Sequence, residues 1–152
     1  MENVKRILVL CRSAKQCQKT IQHGVSLAKN YGAVLGILHV IHDPFGLEGW
    51  NVPLPFIKEL QKEDKSIHDQ AKSELEQILA DAGAEGLVTE ICVEDGKPNE
   101  ILFENIKKEK IDLLLVPAHH EWHVEHLLFS RMNDEILRRL PCSVFFVKEE
   151  PF

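Results

Sequence analysis

Three short runs of this chain, Val4 to Leu10, Val34 to Ile41 and Ile111 to Val116, are built mostly of aliphatic residues and show no regular polar alternation. A strand with one wet face alternates apolar and polar residues, so runs of this kind belong to strands buried on both faces, which in practice means a parallel sheet covered by helices. The segments between them supply those helices. After Ser13, a candidate N-cap, Cys17, Ile21, Val25 and Ala28 recur at helical steps, and Gly32 supplies a left-handed stop. A second helix starts near Phe56 and keeps Ile57, Leu60, Ile67, Ala71, Leu75, Ile78 and Ala82 near one face of a highly charged stretch ending at Gly83.

Leu87 to Val93 reads as another strand, and Gly96-Lys97-Pro98 turns the chain into a helix with Pro98 at its first position and Ile101, Leu102 and Ile106 inward. Lys107, Lys108 and Lys110 sit at its carboxyl end, where cations meet the helix dipole favourably. Leu127 to Leu140 follows as a helix with Met132, Ile136 and Leu137 inward, stopped by Pro141, and Ser143 to Val147 is the last strand. The expected fold is a three-layer α/β sandwich, doubly wound, with five mostly parallel strands and four helices. It forms a single domain over residues 1–152.

With 152 residues, 44% of them hydrophobic, the chain has enough apolar material for one sizeable core. A net charge of −6 and no basic run longer than Lys107-Lys108 give no electrostatic footprint for nucleic acid. The apolar run near the amino terminus ends at Arg12, too short for a signal peptide or a membrane span, so a cytoplasmic location is expected and no membrane partner. Cys11, Cys17, Cys92 and Cys142 are scattered without a CxxC pair, and the expectation for such a chain is reduced, mostly buried thiols.

The order of these elements, with Ile7-Leu8-Val9 in the first strand, His39-Val40 closing the second, Gly96-Lys97-Pro98 before the third helix, Asp112 opening the fourth strand and Pro141-Cys142 before the fifth, resembles the universal stress protein family over essentially the whole chain. The resemblance implies the adenine nucleotide alpha hydrolase-like form of the sandwich and a homodimer joined through Val144 to Val147. It also implies a nucleotide site, and here the chain departs from the pattern. Where nucleotide-binding members carry a Pro-x-Asp turn after the first strand, this chain has Leu10, Cys11 and Arg12. A carboxylate has become a guanidinium, which offers five donors and no acceptor. Where the family's phosphate loop carries three glycines and a hydroxyl residue, this chain has Pro117, His120, Ser130 and Arg131. Glycine lets a backbone approach an anion without a Cβ, and proline removes an N–H as well.

The degenerate site is therefore expected at Arg12, Val40, Pro117, His120, Ser130 and Arg131, with ordinary ATP binding lost and a non-enzymatic role in stress response remaining. Two alternatives stay open. Arg12 and Arg131, by charge and hydrogen bonding, can hold ATP or AMP with weak ATPase activity. His119, His120, His123 and His126, four of the eight histidines, have spacings of three and four that suit Zn or Ni, although the common reading of loop histidines is solvation. No cofactor is expected on the main reading. Trp50 and Trp122 fall in the two least regular segments, and the stretch from His42 to Pro55 is expected to lie over the surface.

Overall fold

The computed structural model describes residues 3–41, 54–118 and 138–148, with the side chains of Lys15 and of residues 54–64 left aside. Within them lie five strands, β1 (Arg6–Cys11), β2 (Val34–Ile41), β3 (Thr89–Asp95), β4 (Leu113–Ala118) and β5 (Ser143–Lys148), and three α-helices, α1 (Gln18–Tyr31), α2 (Leu54–Asp81) and α3 (Pro98–Glu109). All pairings are parallel and the strand order is β3-β2-β1-β4-β5. The chain thus winds outward from β1 in one direction, then returns to β1's other side through β4. The helix expected over residues 127–140 lies outside the described residues except for its end at Arg138 and Arg139, which is helical.

The aliphatic runs carry two cores because their residues alternate between two buried faces. Ile7, Val9, Cys11, Leu35, Ile37, Leu113 and Leu115 pack against α1 and α2, and Leu8, Leu10, Leu38, Val40, Leu114 and Val116 pack on the side of α3. On the first face α1 sits close to the sheet because Gly24 has no side chain: a Cβ there would lie 3.0 Å from Val9 Cγ2 and 3.1 Å from Leu35 Cδ1.

Element ends differ from expectation in instructive ways. β1 runs one residue, and β3 and β4 two residues, further toward the carboxyl end than their apolar runs, because backbone pairing with the neighbouring strand continues past them. Ser13 is not a side-chain cap: a 3-10 turn, Lys15–Cys17, intervenes, and neither it nor α1 has a capping side chain. Gly32 ends α1 at φ 65° as expected, but α3 ends on Lys110, held in the same left-handed region at φ 52°.

Candidate functional site

In open α/β sheets, ligands enter at the carboxyl edge where the winding direction reverses. Here that switch point lies between β1 and β4. The two strands pair from Ile7↔Leu113 to Val9↔Leu115 and no further, while β1 continues with β2 to Cys11↔His39 and β4 continues with β5 to Ala118↔Lys148. Pro117, which has no N–H to give, lies two residues beyond the last β1–β4 pair. The carboxyl ends of β1 and β4 thus part into a crevice.

Three of the expected site residues lie at or near the carboxyl ends of β1, β2 and β4. Arg12 follows β1 directly and is partly exposed at the crevice, and Pro117 is buried near the end of β4. Val40 is 3% exposed and belongs to the core on the α3 side, one residue past the Cys11↔His39 pair. Expected contacts at His120, Ser130 and Arg131, and the four-histidine set His119, His120, His123 and His126, lie outside the described residues, as do Trp50 and Trp122. Among the described residues, no group of three or more His, Cys, Asp and Glu is gathered as a metal site.

The same edge holds three features that composition and motif reading missed. Cys11 and Cys17 form a disulfide, with Cα atoms 5.8 Å apart, which corrects the expectation of four reduced thiols; only Cys92 and Cys142 are free. The physical reason is local: the last residue of β1 and the last residue of the 3-10 turn are brought onto one face of the sheet, within bonding distance. A spacing of six residues across a strand-to-helix turn was the available signal.

His39, in register with Cys11, is buried, and its Nδ1 has no hydrogen-bond partner. Burial pushes its pKa below the usual histidine value, against a backbone hydrogen bond at Cys11 and the charge of Glu74, which raise it; the charge of His68 lowers it further. The ring is therefore a neutral imidazole at physiological pH. His68, on α2, bonds through Nε2 to Asp95 Oδ1 at the end of β3, 2.9 Å away.

A cavity of about 220 Å³ lies elsewhere, against α3, lined by Arg6, Glu90, Glu94, Lys108 and Glu109 among others. Three of its charges pair with one another: Arg6 Nη2 is 3.1 Å from Glu109 Oε2 and 3.6 Å from Glu90 Oε2. It opens near the amino ends of β1 to β3, away from the switch point.

A profile of the universal stress protein family matches residues 3–148. A universal stress protein of Aquifex aeolicus (strain VF5) is 39% identical over 64 residues, which cover 41% of this chain and 47% of that protein, so the match spans about half of the relative's length. The fold is similar to that of universal stress protein UspA from Lactobacillus plantarum, with a TM-score of 0.69 and 23% identity over 95% of this chain and 98% of that one. It is also similar to a universal stress protein family protein from Arabidopsis thaliana solved with AMP bound, with a TM-score of 0.61 and 11% identity over 96% and 92% of the two chains.

Proposed function

Because the chain belongs to the universal stress protein family, we propose that it is a non-enzymatic stress-response protein of the cytoplasm that acts by recognition, with a carboxyl-edge site that no longer takes ATP in the family's usual way. The observation that carries this reading is Arg12 at the parted ends of β1 and β4. A guanidinium there cannot accept a hydrogen bond from a ribose hydroxyl or ligate a metal, the tasks of a carboxylate at that position. Pro117 deepens the change, because the backbone at the end of β4 has one N–H fewer for a phosphate. No helix among the described residues is long and apolar enough to cross a membrane.

A second reading has its own support. Among the described residues the carboxyl ends of β1 and β4 part, arginine is a side-chain type that holds phosphate, and the Arabidopsis relative was solved with AMP bound. On that reading Arg12, with Arg131, binds ATP or AMP in place of the glycine backbone. The four histidines His119, His120, His123 and His126 stand as a third, with Zn or Ni as ligand.

Thermal unfolding separates the readings. Millimolar Mg-ATP or AMP leaves the melting temperature unchanged on the first reading. A ligand at a hundred times its Kd adds about 2.7 kcal/mol, roughly 5–10 °C for a domain of this size. A shift of that order, lost in Arg12→Ala, replaces the first reading with the second, and a shift with Zn²⁺ alone favours the third.

A further inference from the structure

The Cys11–Cys17 bridge spans a sequence separation of only 6, from the end of β1 across the turn that carries Arg12. Disulfide stabilisation grows with the loop closed, so a bridge this short acts mainly on its own turn. Both sulfurs belong to fully buried residues on the side of α1 and α2. The 3-10 turn that carries Cys17 is held by Gln16 N–H to Ser13 O at 3.1 Å and Cys17 N–H to Ala14 O at 3.2 Å, with no side-chain cap, and so short a turn is a candidate for local opening.

The pair is also isolated from the remaining thiols. Cys92 and Cys142 pack on the opposite side of the sheet, against the core that holds Leu102 and Ile106. Burial raises both, Cys92 to about 11. Beside the bridge sits His39, in register with Cys11 on the neighbouring strand, its Nδ1 buried without a partner. Glu74 and His68 face it from α2, and His68 is itself engaged by Asp95. An acceptor also awaits the reduced form: Cys17 Sγ is 3.6 Å from the Leu10 carbonyl.

We propose that Cys11 and Cys17 are a reversible dithiol–disulfide pair whose state decides whether the turn carrying Arg12 is locked to the start of α1 or released from it. Closure takes a hydroperoxide as oxidant. Cys11, its proton passed to His39, attacks the peroxide: an S–O bond forms as O–O breaks, and the leaving alkoxide or hydroxide takes that proton to depart as an alcohol or water, giving a sulfenic acid. Cys17, its proton passed to His39, attacks that sulfur; S–S forms, S–O breaks, and the departing hydroxide takes the proton back as water. Opening takes a dithiol. One thiolate attacks either sulfur, the S–S electron pair leaves on the other and is protonated, and the second thiol of the reductant displaces the mixed disulfide, leaving two thiols and a cyclic disulfide. The inference stands whether or not the crevice takes a nucleotide.

The test uses the full chain carrying Cys92→Ala and Cys142→Ala. Peroxide-treated protein, unfolded with maleimide present, should take up no label, and the folded protein incubated first with dithiothreitol should take up two. Amide exchange over residues 12–18 should quicken about tenfold on reduction while that of 113–118 holds. Adding Cys17→Ser should give the faster exchange under both conditions, and if that variant misfolds, the reduction arm alone decides. Two labels after peroxide overturn the proposal. So does a bridge that dithiothreitol opens in urea but never in the folded protein, which marks it as a permanent staple, and so does exchange that is the same in both states.

Discussion

Arg6 and Asp112 hold each other by two hydrogen bonds: the Arg6 N–H donates to Asp112 Oδ2 at 3.0 Å, and the Asp112 N–H donates to the Arg6 carbonyl at 2.9 Å. The Lys5 N–H shares the same carboxylate oxygen at 2.9 Å. One side chain thereby fixes the amino ends of the two strands whose carboxyl ends part at the switch point. Asp112→Ala leaves two backbone donors without that acceptor and should cost about 1–3 kcal/mol, while Asp112→Asn, which keeps one oxygen, should cost less. Urea unfolding measures both, and an alanine variant as stable as the parent removes the clamp from the account.

Lys110 ends α3 in the left-handed region, with its N–H bonded to Ile106 O. A side chain with a Cβ is strained there and glycine is not. Lys110→Gly should therefore stabilise the protein by about 0.5–1 kcal/mol, net of glycine's greater freedom in the unfolded chain. A lower urea midpoint for this variant contradicts the reading of the cap.

His39 makes stability depend on pH. Its pKa is depressed in the folded protein by burial, whereas in the unfolded chain it titrates near about 6.5. Below that value the unfolded state binds more protons, so the contribution is complete above about 6.5 and declines as pH falls through the folded value. His39→Gln should show a shallower loss of stability than the parent between about pH 7 and pH 5. Parallel curves assign the acid sensitivity to other groups.

Among the described residues β5 is hydrogen-bonded on one side only, to β4, and leaves Phe145 43% and Phe146 41% exposed while Val147 is buried. An apolar open edge of this kind fits pairing with its own copy across a two-fold axis. Phe145→Lys with Phe146→Lys should convert a dimer to a monomer in light scattering without unfolding it, since neither residue belongs to the core. A parent protein that is monomeric at micromolar concentration ends the idea.

How much of this could be read beforehand depends on how local each cause is. Gly32 and Pro98 act within their own helices, and both stand where the sequence placed them. The two-faced burial of Ile7 to Leu10 was equally legible, because an aliphatic run without alternation has one sensible environment. Arg12 was placed at the edge by its position after a strand. The bridge was not foreseen, since two cysteines six apart are joined only by the turn geometry that folding creates, and the loss of a partner at His39 Nδ1 depends on which helix lies over β2. Asp112 was read only as the residue that opens the fourth strand; its donors lie 106 and 107 positions away.

That same separation sets an order of events during synthesis. β1 is the middle strand, yet the neighbour on its β4 side is made more than a hundred residues later. At about 5–20 residues per second, β1 waits roughly 5–20 s for β4, and once β2 and β3 have emerged it is the edge strand of a three-stranded half-sheet, with an open, aliphatic flank. Closing so long a loop is slow even after the last residue emerges. The interval in which this chain is most exposed to aggregation is thus written into its strand order, and a chaperone that shields the nascent β1 flank has its greatest effect before residue 113 appears.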